Sequence, residues 1–510
     1  MNSKKLAIVA AIFIVALKFA LIFPFSNNIF CEAGSSYPEY ASSNEGEASA
    51  SLVTTSPHSL IMDLFLDSLH RIETIKADLM GQINPTPHES ILGTPNLSSM
   101  VPGYLQTVTD PYYWYDYAYD ALINGLFMIP KPFDIVKPEF ILPTAKVPAS
   151  DEPLPFSRNE VDLSDITYEW RGRHKTVEQY INTTQTDAFI FLRDGEIVFE
   201  DYSNGWSAEV RNPSWSVTKS FTSALVGIAW KEGKIDSVHD PVEKYVEELE
   251  NTVWEGTTIE NLLQMESGVF WDEYEAVLAF NPQVQQWLIM MVDYYSDGVL
   301  GMNRNDFLKS LPRVAEPGEE FVYNSGDTQV LTWMLETLYD ASYAEILSEK
   351  LWKPLGMEQE ARIITDGNNR AIASMGLFAR GYDLARFGEL YRNNGQAMDG
   401  EQIIPPEWIE RSTTFTETSE GDYGYQFLST EEEEGSSDNY EAAGFQGNRV
   451  TVFPEEEIVG VRLSHQLGVN LRPDGENPFD PRIYGFEVEM GGEEWNAVST
   501  AVAEELSQKD

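Results

Sequence analysis

The chain has 510 residues, 42% apolar and 12% aromatic, which supports two or three units with buried cores and excludes a disordered or fibrous chain. Only 34 basic side chains stand against 82 acidic ones, a formal net charge of −48, and this excludes nucleic acid as a partner because phosphate contacts need a basic surface. Negative charges at that density repel one another, so the melting temperature is expected to rise between low and molar salt.

Lys4 and Lys5 precede an apolar run from Leu6 to Leu17; Lys18 interrupts it, and apolar residues continue to Phe25. A basic start followed by an apolar stretch reads as a secretory signal or signal-anchor over residues 1–33. The charge at Lys18 favours a cleaved signal over a lasting span. Cleavage is expected after Ala33. Lipid on Cys31 is the alternative, and the bulk of Phe30 opposes it. The protein is therefore expected to be exported, periplasmic or extracellular, with membrane contact only through this segment. Cys31 is the sole cysteine, so no disulfide supports the exported part.

Residues 34–57, rich in Ser, Glu, Gly and Ala, read as a flexible linker. Residues 58–160 read as an N-terminal extension. Within it Ile61, Leu64, Phe65, Leu69, Ile72 and Ile75 have helical spacing. Further on, Tyr112, Tyr113, Trp114, Tyr115, Tyr117 and Tyr119 form an aromatic cluster of a kind that more often packs than binds a ligand.

The main domain is expected over residues 161–510. Ala188–Leu192 and Glu196–Tyr202 read as strands joined by the hairpin pair Asp194-Gly195. A helix follows, with Asn212-Pro213-Ser214 as its start signal, Val217, Phe221, Ala224, Leu225, Ile228 and Trp230 on one apolar face, and Gly233 as its stop. A mostly helical stretch spans Ser237 to Thr413, with Thr258–Leu263 and Asp383–Phe387 as its clearest pieces. Strands return at Tyr425–Leu428, Arg449–Phe453 and Ile458–Leu463, and Ala501–Leu506 closes the chain as a helix. Strands at both ends with helices between them predict an α+β fold: one antiparallel sheet closed from two parts of the chain and flanked by helices.

Three motifs carry chemistry. Ser216-Val217-Thr218-Lys219 is the sole S-x-x-K in the chain. On a helix, positions i and i+3 share a face, so the Lys219 amine can take the proton of the Ser216 hydroxyl and make it a nucleophile without histidine. The bland reading is a surface lysine beside a helix-capping serine. Tyr323-Asn324-Ser325-Gly326 follows the turn Glu316-Pro317-Gly318 and precedes a helical run through Leu331, Met334 and Leu335. A tyrosine there can shuttle a proton between nucleophile and leaving group; a tyrosine before a helix is also often core. Gly444-Phe445-Gln446-Gly447-Asn448 leads into the second late strand signal, Arg449–Phe453. Its glycines either let a substrate lie along a strand edge with its carbonyl against backbone N–H groups, or mark a bulge.

The order S-x-x-K, Y-x-S, G-F-Q-G resembles the serine β-lactamase and penicillin-recognising superfamily, in its class C-like branch with the esterases and 6-aminohexanoate-dimer hydrolases. Leu262-Leu263-Gln264-Met265-Glu266-Ser267-Gly268, Pro354-Leu355-Gly356-Met357 and Gly376-Leu377-Phe378-Ala379-Arg380 add to the likeness, which covers residues 165 to 508. The resemblance implies a β-lactamase-like α/β sandwich with an all-helical insertion. It implies Ser216 as acylated nucleophile, Lys219 as base, Tyr323 as proton shuttle, and the N–H groups of Ser216 and Asn448 as oxyanion hole. Ser325, Phe445, Gln446 and Gly447 would contact substrate. Two positions depart from the pattern. Ser325 stands where the relatives carry asparagine, and Phe445 stands where they carry a lysine or histidine that faces a substrate carboxylate. Without that cation a β-lactam loses its main anchor.

The expected activity is therefore hydrolysis of small carboxylic esters or amides. A class C β-lactamase, a D-aminopeptidase and a non-catalytic sensor module are the alternatives. No G-x-S-x-G elbow points to a Ser-His-Asp hydrolase. The six histidines never fall at H-x-x-x-H spacing, so neither a metal nor another cofactor is expected. His465 reads as structural, and the acid run Glu431–Glu434 as a solvated loop. Natural substrate and oligomeric state are not legible.

Overall fold

The structure, a computed structural model, describes residues 143–184, 186–203, 205–271, 303–430, 439–464 and 492–508. The signal, the linker, the expected helix from 58 to 80, the aromatic run 112–119, the acid run 431–434 and His465 lie outside the described residues.

The first described elements are β1 (Thr144–Val147), β2 (Ser157–Arg158), β3 (Thr167–Trp170), β4 (Arg173–Thr176) and α1 (Val177–Thr183). Then come β5 (Thr186–Arg193), β6 (Glu196–Tyr202), β7 (Asn212–Pro213) and α2 (Val217–Lys231). The helical part contributes α3 (Ile259–Leu263), α4 (Arg304–Lys309), α5 (Ser325–Tyr339) and α6 (Tyr343–Leu347). It continues through β8 (Ala361–Ile364), β9 (Leu377–Ala379), α7 (Gly381–Arg392) and α8 (Pro406–Ser412). The last elements are β10 (Leu428–Ser429), β11 (Tyr440–Gly444), β12 (Asn448–Phe453), β13 (Ile458–Ser464) and α9 (Gly492–Ser507).

Seven strands form the main sheet in the order β10-β11-β12-β13-β5-β6-β2. Its pairs are antiparallel except β2 with β6. The join β13-β5 closes the sheet from two distant parts of the chain, with Val461 opposite Ile190. Asp194 and Gly195 both hold positive φ, 48° and 76°, as a tight hairpin between β5 and β6 requires.

The pleat of β5 sorts its residues by face. Ala188, Ile190 and Leu192 enter the larger core with α2 and α7, while Phe189 and Phe191 enter a second core with Tyr180 and Trp495 of α9. Two glycines set how closely the larger core closes. A Cβ at Gly388 of α7 would stand 2.6 Å from Val459 and 2.8 Å from Val450, so the helix rests directly on the sheet. A Cβ at Gly227 of α2 would enter the Trp408 ring at 2.6 Å. Phe221 of α2 stacks on Phe387 of α7 with centroids 3.8 Å apart, a pairing that adds about 0.5–1.5 kcal/mol beyond its burial.

Several expectations are corrected. Asn212 and Pro213 are a strand, β7, rather than a helix start, because they pair with β9. Two strands, β8 and β9, lie within the stretch read as mostly helical and form the middle of a four-stranded sheet, β1-β8-β9-β7. The two strands β1 and β2 precede residue 161 yet pair with β8 and β6, so the sheets take in part of the segment read as an extension. Strand β11 went unread: Tyr440 to Gly444 is fully buried and lacks the alternation that marks a half-exposed strand. The strand expected at Tyr425–Leu428 is reduced to Leu428–Ser429, because Gln426 adopts φ 65° and leaves the extended region.

Candidate active site

Helix α2 runs through the centre of the larger core, and every residue from Val217 to Ala229 is buried. Three of the polar residues on it bond to carbonyls inside the fold. Thr218 Oγ1 donates to Trp215 O at 2.6 Å, Ser220 Oγ to Gln426 O at 2.6 Å, and Thr222 Oγ1 to Ala373 O at 3.0 Å. A helix wrapped this way holds its first turn rigidly, and that turn carries Ser216.

The entry into α2 is tied to β9. Ser214 N and Ser214 Oγ both donate to Leu377 O, at 2.8 and 2.9 Å, and Leu377 N donates to Thr218 Oγ1 at 3.2 Å. Between these anchors Trp215 takes φ 51°, a left-handed conformation that costs a non-glycine residue about 1–3 kcal/mol. Ser216 occupies the N-cap position in helical conformation (φ −66°, ψ −14°), and its side chain makes no capping bond. Its hydroxyl instead lies 3.0 Å from Lys219 Nζ. Lys219 is only 1% exposed and also donates to Ser374 O at 3.0 Å. The bland reading of a surface lysine beside a capping serine is excluded on both counts.

Tyr323 approaches from the loop before α5, and Lys219 Nζ stands over its ring, 4.8 Å from the centroid. The loop is fixed by Asn324, whose Oδ1 accepts from Gly326 N at 2.7 Å as the cap of α5 and whose Nδ2 donates to Val269 O at 3.0 Å. On its outer side Tyr323 meets Tyr423 edge to face, with centroids 5.9 Å apart. Hydroxyl, amine and phenol ring thus converge from two elements far apart in the chain.

The third motif is a hairpin turn between β11 and β12, formed by Phe445, Gln446 and Gly447, rather than a strand edge or a bulge. Gln446 and Gly447 hold φ 64° and 81°. The turn packs on the segment that carries Ser216. A Cβ on Gly444 would lie 2.4 Å from Ser214 O and 3.3 Å from Ser216 N, so only glycine allows the approach. Trp215 Nε1 donates to Gln446 Oε1 at 3.0 Å, and Phe445 meets the Trp215 ring edge to face at 5.4 Å. Asn448 pairs with Gly444 in register.

The remaining expected contacts divide. Phe445 is partly exposed beside Trp215, as a substrate contact requires. Gln446 is engaged by Trp215, and Ser325 is 0% exposed at the first position of α5, so contact between Ser325 and a substrate would require the site to open. The structure adds groups that sequence reasoning missed. Trp215 joins the two motifs, Ser374 holds the amine by its carbonyl, and Asn324 caps α5. Only Asn324 had a signal, since an asparagine immediately before a helical run is a capping pattern.

The sequence of residues 175–480 matches the family model described as Beta-lactamase, and the chain belongs to that family. Its fold is β-lactamase-like, with sheet and helices layered as the family resemblance implied. Among its relatives is the 6-aminohexanoate-dimer hydrolase of Paenarthrobacter ureafaciens, 30% identical over 340 residues that cover 64% of this chain and 82% of that protein. A Bacillus anthracis structure described as a 6-aminohexanoate-dimer hydrolase is 25% identical with a TM-score of 0.61, covering 79% of this chain and 96% of that one. A family VIII carboxylesterase matches more remotely, at 15% identity and a TM-score of 0.43 over 57% of this chain and 89% of its own.

Proposed function

We propose that the protein is a serine hydrolase that cleaves small carboxylic esters or amides through an acyl-enzyme on Ser216. The observation that carries this reading is the buried Lys219 amine 3.0 Å from an uncapped Ser216 hydroxyl. An unprotonated Lys219 takes the hydroxyl proton as Ser216 Oγ forms a bond to the substrate carbonyl carbon. The negative charge that develops on the carbonyl oxygen is met by the Ser216 and Asn448 N–H groups, and collapse expels the alcohol or amine after it gains a proton by way of Tyr323. Water then attacks the acyl-enzyme by the same route in reverse and releases the acid.

Phe445 and Trp215 give the surroundings of Ser216 an aromatic character. An apolar ring cannot pair with a carboxylate, so neutral or apolar groups on the substrate fit these rings better than the carboxylate of a β-lactam. The non-catalytic alternative leaves the buried amine–hydroxyl pair without a purpose. The basic start and apolar run from Lys4 to Leu17, together with the single cysteine, support action outside the cytoplasm. Cell fractionation tests that part.

The deciding experiment incubates the enzyme with p-nitrophenyl butyrate, linear amides and nitrocefin, then measures the intact mass. Ester or amide turnover with an acyl adduct on the peptide holding Ser216 is expected, with nitrocefin the poorest substrate. Turnover without such an adduct, or an adduct on another residue, would overturn the assignment.

A further inference from the structure

Gln426 is 2% exposed and left-handed, a conformation uncommon outside glycine. It bonds to three helices at once. Its carbonyl accepts from Ser220 Oγ of α2, the residue after Lys219, at 2.6 Å. Its Oε1 accepts from Thr328 Oγ1 of α5 at 2.7 Å. Its Nε2 donates to Leu263 O at 2.8 Å and Leu262 O at 3.2 Å, two carbonyls that the end of α3 leaves without a partner in the helix. Only the NH2 end of an amide can meet two carbonyls, so the side chain has one orientation.

The end of α3 leads on to Tyr323. Just past Gln264, the C-cap of α3, Met265 is itself left-handed (φ 62°) and 1% exposed. Its carbonyl accepts from Val322 N at 2.9 Å and its sulfur from Asn324 N at 3.1 Å. Met265 thus grips the backbone on both sides of Tyr323, and Thr328 lies one turn along the helix that Asn324 caps. The same glutamine ties the helix that carries Lys219 to both supports of the Tyr323 loop. Buried backbone strain persists only where the surroundings fix it, and it gathers at functional sites. Trp215, Met265 and Gln426 each hold positive φ beside, or bonded to a neighbour of, Ser216, Tyr323 or Lys219.

We infer that Gln426 is a positioning residue for proton transfer: it fixes the spacing that seats the Lys219 amine over the Tyr323 ring, 4.8 Å from its centroid. This rests on the proposed roles of Lys219 as base and Tyr323 as shuttle. Ser216 and Lys219 belong to one helical turn, so their own spacing does not depend on Gln426. The distance from that turn to Tyr323 does, and an error of an ångström there costs about 10²-fold in rate.

The test is a double-mutant cycle. Gln426→Met keeps the side-chain length and removes the amide, Thr328→Val removes the donor to Oε1, and Tyr323→Phe removes the phenol hydroxyl. kcat and KM for p-nitrophenyl butyrate are measured for each, and for the first two in the Tyr323→Phe background. Tyr323→Phe is expected to lose about 10²-fold in kcat. Gln426→Met is expected to lose about 10²-fold in kcat and Thr328→Val a few-fold, with KM within about twofold. Because Gln426 acts through Tyr323, Gln426→Met is expected to cost less than about threefold once the hydroxyl is gone. A core defect alone would cost the same factor in both backgrounds. Wild-type kcat in Tyr323→Phe would sink the shuttle reading and this inference with it. A loss in Tyr323→Phe, with Gln426→Met either at wild-type kcat or equally costly in both backgrounds, would overturn the role of Gln426 alone. If Gln426→Met does not accumulate folded, Thr328→Val decides: an unchanged kcat, or a loss that Tyr323→Phe leaves undiminished, overturns the inference.

Discussion

The two faces of the main sheet are buried equally well and built differently. On the face toward α2 and α7, aliphatic side chains such as Ile190, Val450 and Val461 surround a helix that carries Thr218, Lys219, Ser220 and Thr222 in the interior. On the face toward α9, Tyr168, Tyr180, Phe189, Phe191 and Trp495 form an aromatic layer with edge and tilted contacts. The first face stores its cost in buried polar groups and in a left-handed tryptophan beside Ser216. The second stores stability. The face that carries Ser216 and Lys219 thus holds expensive buried groups, and the aromatic layer packs against the other side of the same sheet.

That contrast breaks most sharply at Ser216. Ser216→Ala is expected to drop turnover to background with an unchanged melting curve, because the hydroxyl neither caps α2 nor fills a core position. Lys219→Ala is expected to cost roughly 10³-fold in kcat for p-nitrophenyl butyrate, the usual scale for losing a positioned base. Loss of folding in Ser216→Ala would place a structural duty on the face that carries Ser216 and erase the distinction.

On the opposite face the effect should fall on stability. Trp495→Ala removes a fully buried indole, whose Nε1 donates to Thr451 Oγ1 at 2.8 Å, and is expected to cost about 3–5 kcal/mol in denaturant unfolding. The folded fraction should keep its KM. A large change in KM with little loss of stability would mean that the aromatic layer shapes substrate binding directly.

Phe445→Lys sharpens the specificity side of the comparison. It restores a cation beside Trp215 and is expected to raise the preference for carboxylate-bearing over neutral esters by about tenfold, the ratio produced by about 1.4 kcal/mol. Equal preference before and after would show that the substrate does not reach Phe445.

The smallest effect is expected away from both faces. Asp240 accepts from the Tyr245 hydroxyl at 2.6 Å and from Lys244 Nζ at 2.9 Å, and these bonds, the tyrosine first, hold its carboxyl below the ordinary 3.8. A carboxyl depressed on folding adds stability above its unfolded value, and that stability is lost as the pH falls through the folded value. Asp240→Asn should therefore lower the melting temperature slightly at neutral pH, with the difference closing in acid below about pH 4. A difference that persists unchanged in acid would show that the ion pair contributes nothing.

Local signals made much of this legible. Asp194-Gly195 announced the β5–β6 hairpin, the 3.6-residue period announced α2, and the spacing in Ser216-Val217-Thr218-Lys219 already put hydroxyl and amine on one helix face. Those are short-range properties, carried by φ preferences and by side chains one turn apart. Only the tertiary structure decided the rest. It made Asn212 and Pro213 a strand by supplying β9 as a partner. It seated the Lys219 amine over the Tyr323 ring, joining positions 104 residues apart. It brought Gln426 against Ser220, Leu263 and Thr328. Hydrogen bonds and ring contacts between distant segments leave no periodicity in a chain, so they exist only once the sheet has closed.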